Sequence, residues 1–582
     1  MFFLCTLLAL AAVTAILFAA PLRCKAPAAL AIVGAGALWG CTQAVATLAG
    51  VPERLLWLLP GTLFGGDSGS MDSLSALFVL IVSVGSLAAT AYSRGYLARY
   101  LPLKSPAHIS LHYTALVVLF YAMLGVVLSD GGYSFLFFWE LMTVASFLLI
   151  LFDAERREVR RAALSYLIMM HIGFVLLVVG FVRLEAVTGS AAFGALAEYF
   201  RTQPALPLFA VFLAGFGMKA GLFPMHVWLP EAHPAAPSHV SALMSGVMIK
   251  TGVYGILRTT AALGELPALR TAGYILLAAG ILTGLWGVVL AAAQNDVKRL
   301  LAYSSIENVG VILIGIGIAA LGKASGNQFV ALAGIAGALL HTANHSFFKP
   351  LLFFGAGNIL SATHTTSLDS LGGLGRHMPL TALLFLAGTA AICALPPLNG
   401  FVSELLIYLG LFDGIASGSD TLASAAALTA LALIGGVVVL AFTKLYGMAG
   451  VRLGYALSAD TVLLEQMQAC GQPWGVSSLA QAAGLAALEE TAYVEKVRAL
   501  IAEQRPRLTA GLRALGLRVL DGRANYLLFQ APETLGEALR QRGAVLRSCA
   551  NYPGLGPGWY RTAVRTGPEN EQLLKLLAEV LE

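Results

Sequence analysis

Charged residues are scarce in this sequence, and their scarcity excludes a soluble globular protein as a description of the whole chain. Only 12% of the 582 residues are Asp, Glu, Lys or Arg, whereas 58% are hydrophobic and the mean hydropathy is +0.79. An ordinary soluble chain carries about 25% charged residues. The composition therefore predicts a protein that lies mostly in a membrane.

Cysteine is also scarce and scattered, which argues against iron–sulfur clusters, zinc sites and disulfide frameworks. No two of the six cysteines form a Cys-x-x-Cys motif: Cys5, Cys24, Cys41, Cys393, Cys470 and Cys549. If the chain belongs to a redox complex, we therefore expect it not to carry the electrons. The first 20 residues lack a basic segment and a small-residue cleavage site, so we expect a retained membrane helix there rather than a cleaved signal peptide. The net charge of +5 is spread over many loops and indicates no nucleic-acid surface.

The few charges are divided unevenly along the chain. Residues 451–582 carry 27 of the 67 charged residues, in less than a quarter of the length. Such a shift in composition indicates two unlike parts. We expect a membrane domain over residues 1–446 and an α/β domain over residues 447–582.

Thirteen apolar segments are long enough to cross a bilayer as helices, because a spanning helix needs about 20 predominantly apolar residues. They are residues 2–20, 28–50, 71–92, 112–129, 132–152, 161–183, 206–222, 238–258, 271–293, 301–321, 328–361, 378–412 and 424–446. The predicted fold class is mainly α, a polytopic membrane helix bundle followed by a small soluble α/β domain.

Lysine and arginine in the short loops predict the orientation, since cytoplasmic loops carry an excess of both. The loops after segments 1, 3, 5, 9 and 11 hold twelve such residues, and the alternate loops hold six. We expect a multi-pass protein of the cell (inner) membrane, with its N-terminus outside and its C-terminal domain cytoplasmic.

Proline interrupts some of the predicted helices. Pro224 and Pro230 follow segment 7, Pro396-Pro397 lie within segment 12, and we expect a further break within residues 328–361. In lipid, a broken helix survives only where protein or a polar cavity satisfies the freed backbone groups. Paired breaks at corresponding places in two halves are typical of inverted-repeat transporters, although ordinary loops between helices would leave the same pattern.

Five ionisable residues lie within the apolar segments: Glu140, Lys219, Lys250, Lys349 and Glu404. If they faced lipid, they would together cost on the order of 12 to 18 kcal/mol on insertion scales. We therefore expect them to face one another or water. Structural ion pairs would meet that requirement, but a series of acids and bases on several helices favours a proton pathway.

His341, His345 and Lys349 follow one another at a spacing of four residues, which places them on one face of a helix. Pro350 comes next and releases the carbonyl of Ser346 as a polar contact for water or an ion. The two histidines could instead be core residues or bind a metal; because no third ligand has suitable spacing, we predict no metal site. Three more histidines lie in the proline-rich stretch after segment 7, where gating of proton uptake and loop structure explain them equally: His226, His233 and His239.

These motifs resemble a known family, the antiporter-like, proton-conducting subunits of respiratory complex I and membrane-bound hydrogenases. Phe138-Trp139-Glu140 is similar to the family's helix 5 acid motif, and Lys219 to His233 is similar to its helix 7 lysine and the loop that follows. The continuation from His233 to Lys250 is closer to the large antiporter-like subunit of hydrogenase-4 and formate hydrogenlyase complexes than to its complex I relatives. The resemblance extends over residues 301–310, 341–357 and 395–404.

The resemblance implies one role for each ionisable residue: a coupled pair, a relay, a central link and a terminal proton site. The resemblance implies that Glu140 and Lys219 are the coupled pair and that Lys250 is the relay. It implies that His341, His345 and Lys349 form the central link and that Glu404 is the terminal proton site. Moving Glu140 toward or away from Lys219 would switch whether the lysine holds a proton. The resemblance also implies partners, namely other membrane and peripheral subunits of a hydrogenase or complex I-like assembly, and no cofactor in the membrane domain.

The C-terminal residues resemble a different family, the small domain of pyridoxal-phosphate aminotransferases of the histidinol-phosphate and threonine-phosphate decarboxylase kind. Residues 443–455, 525–529 and 551–561 carry this resemblance. It implies that Lys444 is the Schiff-base lysine, Arg452 binds the cofactor phosphate and Arg561 binds the substrate carboxylate. Lys444 also ends segment 13, where a lysine reaching the cytoplasmic interface is the simpler interpretation. No large domain precedes it to complete the site, so we expect pyridoxal phosphate not to be bound, and we interpret the chain as a fusion of two gene fragments.

The sequence thus predicts a proton-translocating membrane subunit that couples redox chemistry in partner subunits to proton transfer along buried Glu, Lys and His. Two alternatives stay open: a membrane-anchored aminotransferase-like protein and a stand-alone cation/proton antiporter. Protons and sodium ions are both open as the transported ion.

Overall fold

The structure is a computed structural model that describes residues 2–51, 69–371, 374–416, 439–441, 454–456, 491–520, 522, 525–550 and 555–581. Its contacts divide the chain into two compact units, Met1–Gly436 and Val437–Glu582. The point of division between residues 436 and 437 and the boundary predicted after residue 446 both lie outside the described residues.

The first unit is a bundle of helices. Its first eight are α1 (Phe2–Ala19), α2 (Lys25–Leu48), α3 (Ser73–Leu97), α4 (Pro106–Leu128), α5 (Gly132–Ile150), α6 (Arg157–Thr188), α7 (Leu196–Thr202) and α8 (Ala205–Ala220). They are followed by α9 (Leu229–Ala235), α10 (Ser238–Leu243), a π-helical turn (Met244–Met248), α11 (Ile249–Ala262), α12 (Ala268–Ala292), α13 (Val297–Ala324), α14 (Gln328–Thr363), α15 (Leu374–His377), α16 (Pro379–Ile392) and α17 (Asn399–Ala416). In the described part of the chain, nine helical stretches are long and apolar enough to span a membrane. A polytopic membrane bundle is therefore confirmed, whereas the count of thirteen spans stays a prediction.

Polar residues cap several helices at their N-termini, and two of these helices, α4 and α13, begin before the predicted apolar segments. The side chain of Asp72 accepts a hydrogen bond from the Ser75 amide at 2.8 Å, and Ser105 and Asp296 cap α4 and α13 in the same way. Such caps satisfy amides that would otherwise lack a partner. Helices α6 and α8 end at Gly189 and Gly221, whose φ angles of 74° and 83° favour glycine.

The two proline-rich interruptions are confirmed, and protein groups satisfy their freed backbone. After α8, the Trp228 indole donates to the Met218 carbonyl at 2.9 Å, and the Phe223 amide donates to the Thr283 hydroxyl at 3.2 Å. Between α16 and α17, the Asn344 amide group donates to the Asn399 carbonyl at 2.7 Å. These bonds are what a broken helix needs at membrane depth. The inverted repeat that the two breaks suggested stays a prediction.

The further break expected within residues 328–361 was wrong, because α14 runs without interruption through Pro350. The Pro350 ring lies against Gly246 in the π-helical turn, where any side chain would collide with it. Ser346, whose carbonyl the proline leaves free, is buried in protein rather than facing lipid. The local loss of one hydrogen bond is thus tolerated by the surrounding bundle.

Glycine lets the helices of the second half approach backbone to backbone. A Cβ atom on Gly310 of α13 would lie 2.5 Å from the Gly284 nitrogen and 2.7 Å from the Gly280 oxygen, both on α12. Gly334 of α14 has the same relation to α13, since its Cβ would lie 2.7 Å from the Ala319 nitrogen. Small residues at such crossings are a usual means of helix association in membranes.

The second unit contains short strands and helices. Strands β1 (Val439–Ala441) and β2 (Gly454–Ala456) pair antiparallel, and β3 (Arg518–Leu520), β4 (Tyr526–Gln530), β5 (Arg547–Ser548) and β6 (Trp559–Ala563) form an antiparallel sheet of order β3-β4-β6-β5. Helices α18 (Thr491–Ala514), α19 (Leu535–Gln541) and α20 (Gly567–Leu581) accompany it. The core includes Leu508, Leu512, Phe529, Tyr560 and Leu577.

An α/β composition therefore holds for the described part of this unit, and its solubility stays a prediction. The prediction of a thirteenth helix over residues 424–446 is wrong for Val439–Ala441. These residues form β1 because their backbone pairs with Gly454–Ala456. The other residues of that segment lie outside the described part.

The crossing of α12 and α13 should not tolerate a side chain. We expect Gly310→Ala to destabilise the purified full chain by about 1–3 kcal/mol, since backbone atoms cannot move aside as a flexible side chain can. The measurement is the midpoint of thermal unfolding in detergent. Gly95→Ala is the matched control, because nothing lies within 4 Å of a Cβ at that helical glycine. Equal midpoints for the two variants would contradict the proposed packing.

Candidate functional site

Glu140 on α5 forms an ion pair with His171 on α6. Its carboxylate oxygen Oε1 lies 3.1 Å from His171 Nε2, and the two side chains are 26% and 48% exposed in the isolated chain. Oε2 is buried and has no hydrogen-bond partner among the described residues. His171 was missed by the sequence reasoning, although a titratable residue within the apolar run of segment 6 was a signal for it.

Lys219 near the end of α8 is buried without a carboxylate at contact distance. Its Nζ donates to the Thr143 hydroxyl at 2.9 Å and to the Tyr166 hydroxyl at 3.4 Å. The same nitrogen lies 5.3 Å from the ring centroid of Trp139. Within the described residues, no carboxylate oxygen lies within 4.0 Å of it. The predicted coupled pair is therefore not in direct contact here: Glu140 contacts His171, while hydroxyl groups and an aromatic ring surround Lys219.

Lys250 on α11 and His345 on α14 are in direct contact. Lys250 Nζ lies 2.7 Å from His345 Nδ1 and 3.2 Å from the carbonyl oxygen of Ser245, and both side chains are fully buried. Ser245 belongs to the π-helical turn, a feature that is frequent at functional sites. The structure thus brings together two of the predicted site residues from separate helices.

His341 lies one helical turn before His345 and is held by two polar side chains. Its Nδ1 lies 3.0 Å from the Ser403 hydroxyl on α17, and its Nε2 lies 3.0 Å from Asn308 Oδ1 on α13. The Asn308 amide nitrogen donates to the Ser304 carbonyl, so its oxygen faces the histidine. Because an amide oxygen only accepts, His341 carries a hydrogen on Nε2. This imidazole joins three helices in the interior of the bundle.

Lys349 and two carboxylates complete the set of buried groups. Lys349 Nζ is buried and has no hydrogen-bond partner among the described residues. The carboxylate that acts on it electrostatically is Glu307 of α13, which also interacts with Glu404 of α17. Glu307 was not predicted as a site residue, although it lies within residues 301–310, which carried the family resemblance. The sequence pattern alone did not show that α13 turns this carboxylate toward Lys349.

The described residues hold no group of three or more His, Cys, Asp or Glu side chains arranged for a metal ion. The polar groups form separate clusters around His171, Lys219, Lys250, His341 and Lys349. Hydrogen bonds join the members of most clusters, and within the described residues no direct hydrogen bond links the side chains of one cluster to those of the next. What the arrangement can do chemically is hold protons at several buried positions, with the gaps left for water or side-chain movement to bridge.

Of the three residues predicted from the aminotransferase resemblance, the structure describes one. Lys444 and Arg452 lie outside the described residues. Arg561 is in β6, opposite Leu528 of β4, and its guanidinium lies 4.7 Å from the ring centroid of Tyr526. A pyridoxal-phosphate site of this family needs an acidic partner for the ring nitrogen. The described residues of this unit include no aspartate, and Lys444 and Arg452 are not among them, so the expectation that pyridoxal phosphate is not bound stays a prediction.

Comparison with known proteins decides the family of the first unit. The family model for NADH:quinone oxidoreductase/Mrp antiporter transmembrane proteins matches residues 131–433, which is more than half of the chain. The chain belongs to this family. This match confirms the predicted resemblance to antiporter-like subunits. It also agrees with the multi-pass membrane bundle of the first unit.

Curated relatives of this chain include a hydrogenase-4 component and a formate hydrogenlyase subunit. Hydrogenase-4 component B of Escherichia coli (strain K12) is 39% identical over 386 residues, which cover 65% of this chain and 56% of the relative. Formate hydrogenlyase subunit 3 of the same organism is 39% identical over 236 residues, covering 40% of this chain and 38% of the relative. The chain thus spans about half the length or less of these curated relatives.

Two solved structures share the fold of this antiporter family chain. The membrane-bound sulfane sulfur reductase, an archaeal respiratory membrane complex, has a chain that matches with a TM-score of 0.63 at 20% identity, covering 80% of this chain and 91% of that one. The Mrp complex from Dietzia sp. DQ12-45-1b matches with a TM-score of 0.61 at 22% identity, covering 78% and 80%. At these identities the likeness concerns the fold alone.

A second family model, for class I and II aminotransferases, matches residues 411–580. It covers less than a third of the chain, and much of it falls outside the described residues. The C-terminal residues are therefore similar to an aminotransferase, and a pyridoxal-phosphate site stays a prediction only.

The prediction that pyridoxal phosphate is not bound has a testable consequence. We expect the purified full chain, incubated with pyridoxal phosphate, to show no visible absorbance band from bound cofactor, because the residues described before Lys444 form the helices of the membrane unit rather than a large domain that would supply the acidic partner of the ring. Absorbance spectra of the wild type and of Lys444→Ala should coincide. A band that appears in the wild type and is lost in Lys444→Ala would contradict this expectation.

Proposed function

We propose that this chain is a proton-translocating membrane subunit, in which protons pass through the interior of the bundle along the buried Glu, Lys and His groups. The single observation that carries the proposal is the contact of Lys250 Nζ with His345 Nδ1 at 2.7 Å. Two fully buried bases that share one hydrogen bond cannot both be charged without a large cost, since each charge lacks solvent. We therefore propose that the pair carries at most one positive charge and that the proton of the shared hydrogen bond can belong to either partner.

Groups on both sides of this pair extend the proposed path. Toward α5 and α6 lie Lys219 and the Glu140–His171 ion pair; toward α17 lie His341 with Ser403 and the group of Lys349, Glu307 and Glu404. His345 Nε2, Lys349 Nζ and Glu140 Oε2 are buried without a hydrogen-bond partner among the described residues. Buried polar atoms in native proteins are normally satisfied, often by ordered water. These three atoms are the places where we expect water to complete the path.

Glu140 has two possible partners in the proposed mechanism, His171, which it contacts, and Lys219. The charge of Glu140 acts on Lys219, although the two are not in contact. Thr143, which accepts the hydrogen bond from Lys219, lies three residues after Glu140 on the same helix. A small shift of α5 would therefore change the surroundings of both groups together. We propose that Glu140 exchanges between His171 and Lys219 and so switches whether Lys219 retains its proton.

Membership of a larger complex is part of the proposal. The relatives are named as components of hydrogenase-4 and formate hydrogenlyase, and this chain covers only part of their length. We propose that other membrane and peripheral subunits supply the redox chemistry, and that the chain lies in the cell (inner) membrane with its N-terminus outside. The basic loops at one end of the bundle support this orientation.

A second candidate is a cation/proton antiporter that transports sodium. A relative named as putative antiporter subunit mnhA2 of Staphylococcus saprophyticus is 31% identical over 388 residues, covering 65% of this chain and 47% of the relative. The buried groups would then bind protons and sodium ions alternately. A sodium gradient that drives proton movement in the transport assay below would favour this candidate.

Removing either member of the Lys250–His345 pair should interrupt transport. In proteoliposomes of the full chain with an internal pH dye and an imposed membrane potential, we expect Lys250→Met and His345→Phe each to slow proton flux by about tenfold or more. The double variant should be no slower than the single ones, because both remove the same step.

The matched control for this assay is another buried lysine. Lys25 is also almost fully buried, but its Nζ donates to the Leu17 carbonyl at 2.9 Å and to the Ser110 hydroxyl, neither of which belongs to the proposed path. We expect Lys25→Met to conduct as the wild type does. Unchanged flux in both Lys250→Met and His345→Phe would refute the assigned path.

A further inference from the structure

Four histidines outside the proposed path lie between one end of the bundle and Lys349. His108 and His112 are one turn apart near the start of α4, His239 is at the start of α10, and His233 is in α9. The end of the bundle in question carries the basic loops. There, Lys104 pairs with Asp153 and Glu155, and Lys298 donates to the Ala236 carbonyl at 2.8 Å.

The central contact of this group joins two imidazoles. His112 Nε2 lies 2.8 Å from His239 Nε2, and the two side chains are 4% and 0% exposed. One of these nitrogens carries a hydrogen and the other accepts it, so the pair holds a proton between two helices. The remaining nitrogen of each ring, Nδ1, is buried without a partner among the described residues. Each ring therefore has one nitrogen engaged and one available.

His108 and His233 extend the pair in opposite directions. His108 is half-buried near the surface, and its ring and that of His112 both pack edge-on against Phe152, at 5.0 and 4.9 Å between centroids. His233 is fully buried and stacks at 4.9 Å on Phe353 of α14, one turn beyond Lys349. The cations that act on His233 are Lys349 and Lys298. The series thus begins at the surface and ends beside the proposed path.

Unsatisfied polar atoms are concentrated along this series. Thirteen buried side-chain nitrogen and oxygen atoms of the described residues have no hydrogen-bond partner, and four of them are ring nitrogens of this series: His112 Nδ1, His239 Nδ1 and both ring nitrogens of His233. Each would cost about 1–3 kcal/mol if it were dry. A polar site of this kind binds water in preference to remaining empty.

We propose that His108, His112, His239 and His233 form a hydrated proton-intake branch that leads from the basic end of the bundle to Lys349. This inference rests on the proposed function and specifies where protons enter the path. At each imidazole a proton arrives at one ring nitrogen and another leaves from the opposite nitrogen, so each ring is neutral again after the transfer. Water links the rings that are not in contact, and Lys349 receives the proton.

The charged groups around His239 favour transfer of a proton through the histidine pair over its retention there. Tyr96 of α3 packs edge-on against His239 at 5.5 Å between ring centroids, and Lys298 of α13 is the cation that acts on the same histidine. Near Lys298, Arg99 just after α3 adds a positive charge, and Asp296 and Asp153 add two negative charges. Lys298 and His112 act directly against a positive charge on His239, so a proton that reaches the pair is passed on rather than retained.

The water can be tested separately from transport. X-ray hydroxyl-radical footprinting of the purified full chain labels side chains beside bound water, even those closed to bulk solvent. We expect His239 and His233 to be labelled although neither is exposed, and Met123, a reactive but fully buried side chain of α4 in apolar surroundings, to stay unlabelled. Labelling of His239 and His233 no greater than that of Met123 would show a dry, packed interior and overturn the proposal whatever the chain transports.

The transport assay then tests the direction of the branch. In proteoliposomes of one orientation, we expect His112→Phe and His239→Phe to slow flux started by acidification at the basic end of the bundle by about tenfold. Flux started from the opposite side should change less. His226→Phe is the control, since this buried histidine stacks on Phe223 and has no charged neighbour acting on it.

The outcomes separate this inference from the proposed function. Labelled histidines with unimpaired flux in both variants would overturn the branch and leave the main path standing. No flux in the wild type would refute the proposed function, and the footprint would still decide whether the branch is hydrated.

Discussion

The high cost of leaving an ionisable group unsatisfied in hydrocarbon is the constraint on which the membrane unit depends. The three buried lysines of the central bundle are stabilised in different ways. Lys219 contacts hydroxyl groups and an aromatic ring, Lys250 contacts an imidazole, and Lys349 interacts electrostatically with Glu307. None of these solutions is a close ion pair with a carboxylate. Because neutral and shared-proton partners leave the charge state adjustable, a lysine held in this way can lose and regain its proton, whereas a tight ion pair would fix it.

Sequence reasoning identified the groups that must be satisfied but not all of their partners. The cost of a charge within an apolar segment is a local property, so Glu140, Lys219, Lys250 and Lys349 could be read from the sequence. His171, Glu307 and His112 also lie within apolar segments, but a single polar residue on an apolar helix has the same local pattern whether it lines a path or only fills space, so the sequence did not assign them to the path. Which helix faces it is decided by tertiary packing.

Local rules also failed where the bundle overrides them. The sequence predicted a break within residues 328–361, which contain Pro350, yet Gly246 on a neighbouring element leaves room for the proline ring and α14 continues. The other two interruptions were predicted correctly from Pro224 with Pro230 and from Pro396-Pro397, since proline removes a backbone donor and strains the helix. In the second unit, Val439–Ala441 continue an apolar run and so resemble a helix, but the pairing with Gly454–Ala456 is a non-local interaction that hydropathy does not report.

The separation of the buried groups into clusters has a functional logic of its own. A continuous, permanently hydrogen-bonded chain across a bilayer would let protons run down their gradient without doing work. Under the proposed function, short clusters such as Lys250–His345 and His341–Ser403 hold protons in place, and the gaps between them conduct only when water or a side chain fills them. Control of the proposed transport then requires no large movement. A shift of one helix that opens or closes a gap would be enough, and the partly exposed Glu140–His171 pair on α5 and α6 is a place where a proposed partner subunit would act.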